Sequence, residues 1–128
     1  MGRKVAKVAQ QLGMRVLLND PPRQALEGDE GFASLQQIAE VCDVITFHTP
    51  LNRTGEYKTF HLADEAFFRQ LKKQPILINT SRGEVVDAQA LSAALDKGLI
   101  ADAIIDVWEG EPDIDTTLLY KVFVGTPH

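Results

Sequence analysis

Arg82 stands in the run Asn79–Thr80–Ser81–Arg82–Gly83–Glu84, directly after the apolar stretch Pro75–Ile76–Leu77–Ile78. A guanidinium binds carboxylates and phosphates through two parallel hydrogen bonds. The carboxyl end of a strand in an α/β protein faces the ligand crevice. Type and position together suit Arg82 to gripping an acidic substrate. Three further residues occupy comparable places. Asp106 lies in the apolar run Ile100–Val107, Glu111 follows that run, and His128 follows Val122–Val124. Parallel strands share one carboxyl edge, so Arg82, Asp106, Glu111 and His128 can converge in space. Plainer roles exist for each. Arg82 could pair with Glu84 or Asp87 at a helix start, Glu111 could be an exposed loop acid, and His128 could be solvated. Trp108 is either a loop anchor or a wall of the crevice, and His48 and His61 read as structural.

A second constellation opens the chain. Gly2 precedes an amphipathic segment, a short apolar run follows, and Asp20 comes eighteen positions after the glycine. This is the back half of a dinucleotide fingerprint, in which the acidic residue bonds the ribose hydroxyls and repels a 2′-phosphate. Asp20 therefore points to NAD. A glycine at a helix start and an aspartate capping a turn account for the same residues.

The elements that would position these groups alternate regularly. Arg3 to Leu12 has helical spacing and stops at Gly13. Arg15–Asn19 reads as a buried strand, Pro21–Pro22 as its exit, and Arg23 to Phe32 as a loop. Ser34 caps a helix over Leu35 to Val41. Asp43–Phe47 is the next strand, followed by His48–Thr49–Pro50–Leu51 and a loop over Asn52 to Lys58. Ala63 to Leu71 is helical, with Asp64 and Lys72–Lys73 at the ends that suit the helix dipole. After Ile76–Ile78, Asp87 caps a helix that stops at Gly98. Ile100–Val107 is a strand, Thr116–Tyr120 a short helix and Val122–Val124 a last strand. Near-continuous apolar strands alternating with helices imply a doubly wound, Rossmann-like parallel sheet with helices on both faces. Its expected first strand, ahead of Gly2, is missing.

Composition narrows the function classes. The 128 residues are 45% hydrophobic and 24% charged, ordinary globular values for one domain. A net charge of −5 argues against a nucleic-acid footprint. The single cysteine, Cys42, allows neither a disulfide framework nor a zinc site and reads as a small buried residue. No metal site is expected. No apolar run approaches the ~20 residues of a membrane span, and no signal peptide is visible, so the expected setting is cytoplasmic.

Six segments, in order along nearly the whole chain, resemble the D-isomer-specific 2-hydroxyacid dehydrogenases. They are Asn19–Arg23, Thr46–Leu51, Gly55–Leu62, Asn79–Asp87, Asp106–Pro112 and Gly125–His128. Phe47–Leu51, Tyr57–Leu62 and Val107–Pro112 favour a branch that acts on a small phosphorylated hydroxy acid. The resemblance implies that Arg82 holds the substrate carboxylate and 2-oxygen. It implies that His128 exchanges a proton with the 2-hydroxyl, and that Glu111 orients the histidine and favours its charged form. Gly2, Asp20, Thr49, Thr80, Ser81 and Asp106 would meet NAD. It also implies that residues 1–128 are part of an NAD-binding domain. A substrate domain and a C-terminal dimerisation region, of a homodimeric full-length form, would lie outside them. Two expectations follow for the isolated chain: little turnover, and an open sheet edge between Arg15–Asn19 and the strand near residues 101–107 or its neighbour. That edge should make it shift strands or associate. A non-catalytic NAD-binding or partner-binding module is the competing class.

Overall fold

The computed structural model describes residues 1–127. Four parallel strands form one sheet in the order β1-β2-β3-β4: β1 Val44–Phe47, β2 Ile76–Asn79, β3 Asp102–Ile105 and β4 Val124–Gly125. The helices are α1 Gly2–Gln11, α2 Pro21–Glu27, α3 Leu35–Val41, α4 Glu65–Arg69, α5 Ala88–Lys97 and α6 Thr116–Lys121, with a 3-10 turn at Gly83–Val85. This is the expected parallel, Rossmann-like α/β architecture.

Side-chain oxygens set the helix starts. Ser34 and Gln37 form a reciprocal capping box on α3. Asp64, Asp87 and Asp115 cap α4, α5 and α6 through backbone N–H groups of the first turn. Gly98 ends α5 at φ 70, a conformation glycine adopts without a Cβ penalty.

The strands alternate. Ile45, Phe47, Leu77, Asn79, Ala103 and Ile105 are buried on one face. Thr46, Ile78, Asp102 and Ile104 are half-buried on the other, and Val44 and Ile76 are exposed there. Helices α3, α4, α5 and α6 touch in succession. Phe67, Phe68, Leu91, Ala94 and Leu118 from α4, α5 and α6 join the strand residues in one hydrophobic cluster with Trp108. By contrast, α1 and α2 contain no buried residue. Packing is thus concentrated on one face.

Several local expectations change. Arg15–Asn19 is not a strand. Among the described residues it joins no ladder, and it is held where Ala33 N–H donates to Leu18 O at 2.7 Å and Asn19 Nδ2 donates to Ala33 O at 2.9 Å. The segment beginning Pro21–Pro22 is helix α2, not a loop, because proline at the first helical positions lacks only an N–H that would be unbonded anyway. Among the described residues the edges of the sheet fall on β1, which pairs only with β2, and on β4, which pairs only with β3, and not on the strand at residues 102–105. Cys42 is half-buried at the end of α3, where burial raises its thiol pKa. Among the described residues, no helix is long and apolar enough to cross a membrane.

Candidate functional site

Sheet register assembles the site. Phe47 pairs with Asn79, Asn79 with Ile105, and Ile105 with Gly125. The next residue of each strand is therefore His48, Thr80, Asp106 or Thr126, and these four step off the sheet side by side. Thr126 Oγ1 donates to Asp106 Oδ1 at 2.6 Å, tying the last two rows together. Thr49, one residue beyond His48, bonds locally to Pro50 O at 3.4 Å.

Asn79 shapes the turn that carries Arg82. Its side chain is 1% exposed. Its Nδ2 donates to Arg82 O at 2.9 Å, and its Oδ1 accepts from Ser81 N at 3.1 Å and Ser81 Oγ at 2.9 Å. The turn is closed from behind by Gly83, where a Cβ would overlap the Trp108 carbonyl and lie 2.6 Å from Glu109 N. Arg82 is exposed, and its Nη1 donates to Ser81 O at 2.8 Å. The acids that could have claimed it are engaged elsewhere. Glu84 lies 3.7 Å from Arg53, and Asp87 lies 3.6 Å from His61.

Glu111 and Arg82 line one open cleft of about 280 Å³, with Ser81, Gly83, Glu84, Val107, Trp108 and Gly110. Glu111 Oε1 accepts from Trp108 N at 2.7 Å. The Trp108 indole runs the other way, donating from Nε1 to Thr126 O at 2.9 Å. Trp108 is 6% exposed, so it anchors the loop in the core as well as lining the cleft. His128 lies outside the described residues.

Gly2 adjoins the first position of the row of strand ends, and Asp20 opens the next helix. Gly2 opens α1 against His48, where a Cβ would stand 3.5 Å from His48 Cβ, an ordinary contact. The first turn of α1 holds no acidic residue. An N-terminus of this kind, beside a strand's carboxyl end, offers N–H groups to a pyrophosphate, so the residues present fit a dinucleotide. Asp20 caps α2, accepting from Arg23 N at 3.2 Å. Arg23 in turn bonds Glu27 at 2.8 Å, which raises the arginine pKa and lowers that of the glutamate. His48 Nε2 lies 3.0 Å from Thr46 Oγ1, and burial lowers its pKa, with the Met1 amine adding to the effect.

Sequence reasoning passed over a second cluster. His61, Asp87 and Glu109 place one ligand-type atom each within 4.8 Å of one another. His61 Nε2 makes a short hydrogen bond to Glu109 Oε1, and Glu109 Oε2 accepts from Ala88 N at 2.9 Å. Asp87 Oδ1 meanwhile caps α5. These contacts clamp the loop after β3 to the start of α5. Nothing in the sequence pattern marks this cluster: the φ of 51 at His61 and its stacking on Phe60 exist only in the fold. For Asn79 the signal was a lone amide closing the apolar run Ile76–Ile78.

A parallel sheet whose strand ends form one polar row, with an arginine and a glutamate in the adjoining cleft, is the architecture that binds ligands at the carboxyl edge of its strands. The chain belongs to the D-isomer-specific 2-hydroxyacid dehydrogenases, matching the model of the family's NAD-binding domain over residues 1–128. It is 61% identical over 128 residues to the erythronate-4-phosphate dehydrogenase of Bacteroides thetaiotaomicron, covering all of this chain and 37% of that protein. Among solved structures, phosphoglycerate dehydrogenase from Lactobacillus plantarum superposes with a TM-score of 0.82 at 31% identity, over 99% of this chain and 41% of that one. D-lactate dehydrogenase with NAD+ from Lactobacillus jensenii superposes with a TM-score of 0.76 at 28% identity, over 99% and 42%. The chain thus spans little more than a third of the curated relative's length.

Proposed function

We propose that these residues form the NAD-binding part of an erythronate-4-phosphate dehydrogenase. The enzyme would oxidise the 2-hydroxyl of 4-phospho-D-erythronate to the 2-oxo acid, on the route to pyridoxal phosphate. The observation that carries the chemistry is the cleft in which Arg82 and Glu111 stand together beside the row of strand ends. The 61% identity to a relative of that name supports the substrate.

In this reading Arg82 binds the substrate carboxylate and 2-oxygen through its fork of N–H donors. His128 takes the proton of the 2-hydroxyl during oxidation and returns it during reduction. Glu111 orients that imidazole and favours its charged form. Gly2 and the first amides of α1 receive the pyrophosphate, Asp20 the adenosine ribose, and Thr49, Thr80, Ser81 and Asp106 the rest of NAD. NAD, when bound, accepts the hydride. Residues 1–128 would be a partial NAD-binding domain, completed elsewhere by a substrate domain and a dimerisation region. The same family resemblance supports a homodimeric, cytoplasmic full-length form.

The test is NADH formation, followed by absorbance, from the protein at its natural length with NAD and 4-phosphoerythronate. Arg82→Ala is expected to lower kcat/KM by about 100- to 1,000-fold, since charge-assisted hydrogen bonds contribute about 1.5–3 kcal/mol each. Arg82→Lys, which keeps the charge and loses the fork, should fall between. Turnover of other 2-hydroxy acids with none of the phosphorylated one would overturn the substrate assignment.

A further inference from the structure

We infer that Trp108 is a positioning residue that sets the spacing between the arginine, the glutamate and the strand leading to the histidine; the catalytic meaning of that spacing rests on the function proposed above. Four contacts of one side chain and its own peptide carry the inference. The Trp108 N–H donates to Glu111 Oε1 at 2.7 Å, holding the carboxylate back over the cleft. The Trp108 carbonyl presses on Gly83, the residue after Arg82, so closely that no Cβ fits between them. The indole Nε1–H donates to Thr126 O at 2.9 Å, two residues before His128. Its ring packs on Gly125, where a Cβ would stand 2.9 Å from Cζ2.

These contacts run from one rigid, 6% exposed residue to three separate segments. They are the turn after β2, the loop after β3 and the end of β4. The first two hold Arg82 and Glu111, and the third precedes His128 in the sequence. An aromatic ring has two side-chain torsions and, once its N–H is bonded, little freedom, which suits it as a spacer. Glycine at 83 and at 125 is then explained jointly: both are needed for the ring and its carbonyl to come this close.

Trp108→Phe keeps most of the ring and removes the donor to Thr126. In the protein at its natural length, kcat for 4-phosphoerythronate is expected to fall about 10- to 100-fold, the scale of a small misplacement of reacting groups. The Kd for NADH, measured by calorimetry, should stay within about twofold, because none of the four contacts falls on Gly2, Asp20, Thr49, Thr80, Ser81 or Asp106 themselves. Phe68→Leu in α4, buried at 1% exposure and remote from the cleft, serves as the control for lost packing. It should lower Tm with kcat retained. A Trp108→Phe protein that turns over like wild type overturns the inference. So does one whose loss of kcat merely tracks its loss of Tm along with the Phe68 variant.

Amide hydrogen exchange separates this outcome from failure of the functional reading. The amides of residues 108 and 126 should exchange about tenfold faster in Trp108→Phe while those of β2 stay protected. If wild type turns over no hydroxy acid, the proposed function fails and exchange alone decides the spacing role. Unchanged exchange at both amides overturns it.

Discussion

Asn79 shows how much one amide can organise. It is almost fully buried, and its donor and acceptor are both spent on the backbone and hydroxyl of the turn carrying Arg82. Asn79→Ala would leave Ser81 N without its acceptor and Arg82 O with only the Val85 N–H at 3.2 Å. An unsatisfied buried group costs about 1–3 kcal/mol, so we expect a loss of about 1–3 kcal/mol in urea unfolding, with kcat/KM reduced as well. An unchanged unfolding midpoint would show that water replaces the amide without cost. Asp20 gives the opposite lesson. Its carboxylate does what an unremarkable capping aspartate does, bonding Arg23 N, whether or not a ribose also binds there.

Among the elements, helices with polar caps were legible from residue types alone. Ser34, Asp64 and Asp87 mark their helix starts by chemistry local to a few residues. Arg15–Asn19 was not, because a strand exists only with a ladder partner, and its apolar residues cannot reveal whether one is present. Pro21–Pro22 was read as a break because proline both ends strands and starts helices, and α2 is the second case. The loop after β3 was legible as a site for Glu111, but its clamp through Glu109 and His61 joins residues 48 positions apart. No local pattern encodes that. Gly83→Ala tests how tightly this loop is seated. A Cβ there meets backbone of Trp108 and Glu109, not a yielding side chain. We expect destabilisation of about 1–3 kcal/mol or more, read as a lowered Tm, together with weakened substrate binding. A Tm within a degree of wild type would mean that the loop can move aside.

For the whole molecule, the overall class was legible from strand and helix alternation, whereas the distribution of burial was not. One sheet face is closed by α3 to α6, and the loosely packed α1 meets the strands near His48. That histidine gives the fold a pH dependence. Its folded pKa is lowered, chiefly by burial, so the unfolded chain binds more protons than the folded one in the window below the ordinary value of ~6.5. Stability from this group is complete above that value and is lost as pH falls toward the folded pKa. Tm should therefore rise with pH over the window just below that ordinary value, and His48→Gln should flatten the rise. A slope identical in the variant would assign the effect to other groups.

The in-register row of strand ends has a further consequence, for ligand length. Neighbouring strands stand ~4.8 Å apart, so the four ends span roughly 14 Å. A compact molecule can touch two adjacent ends at most. Only an extended one reaches all four, and the site thereby measures its ligand before any side chain reads it.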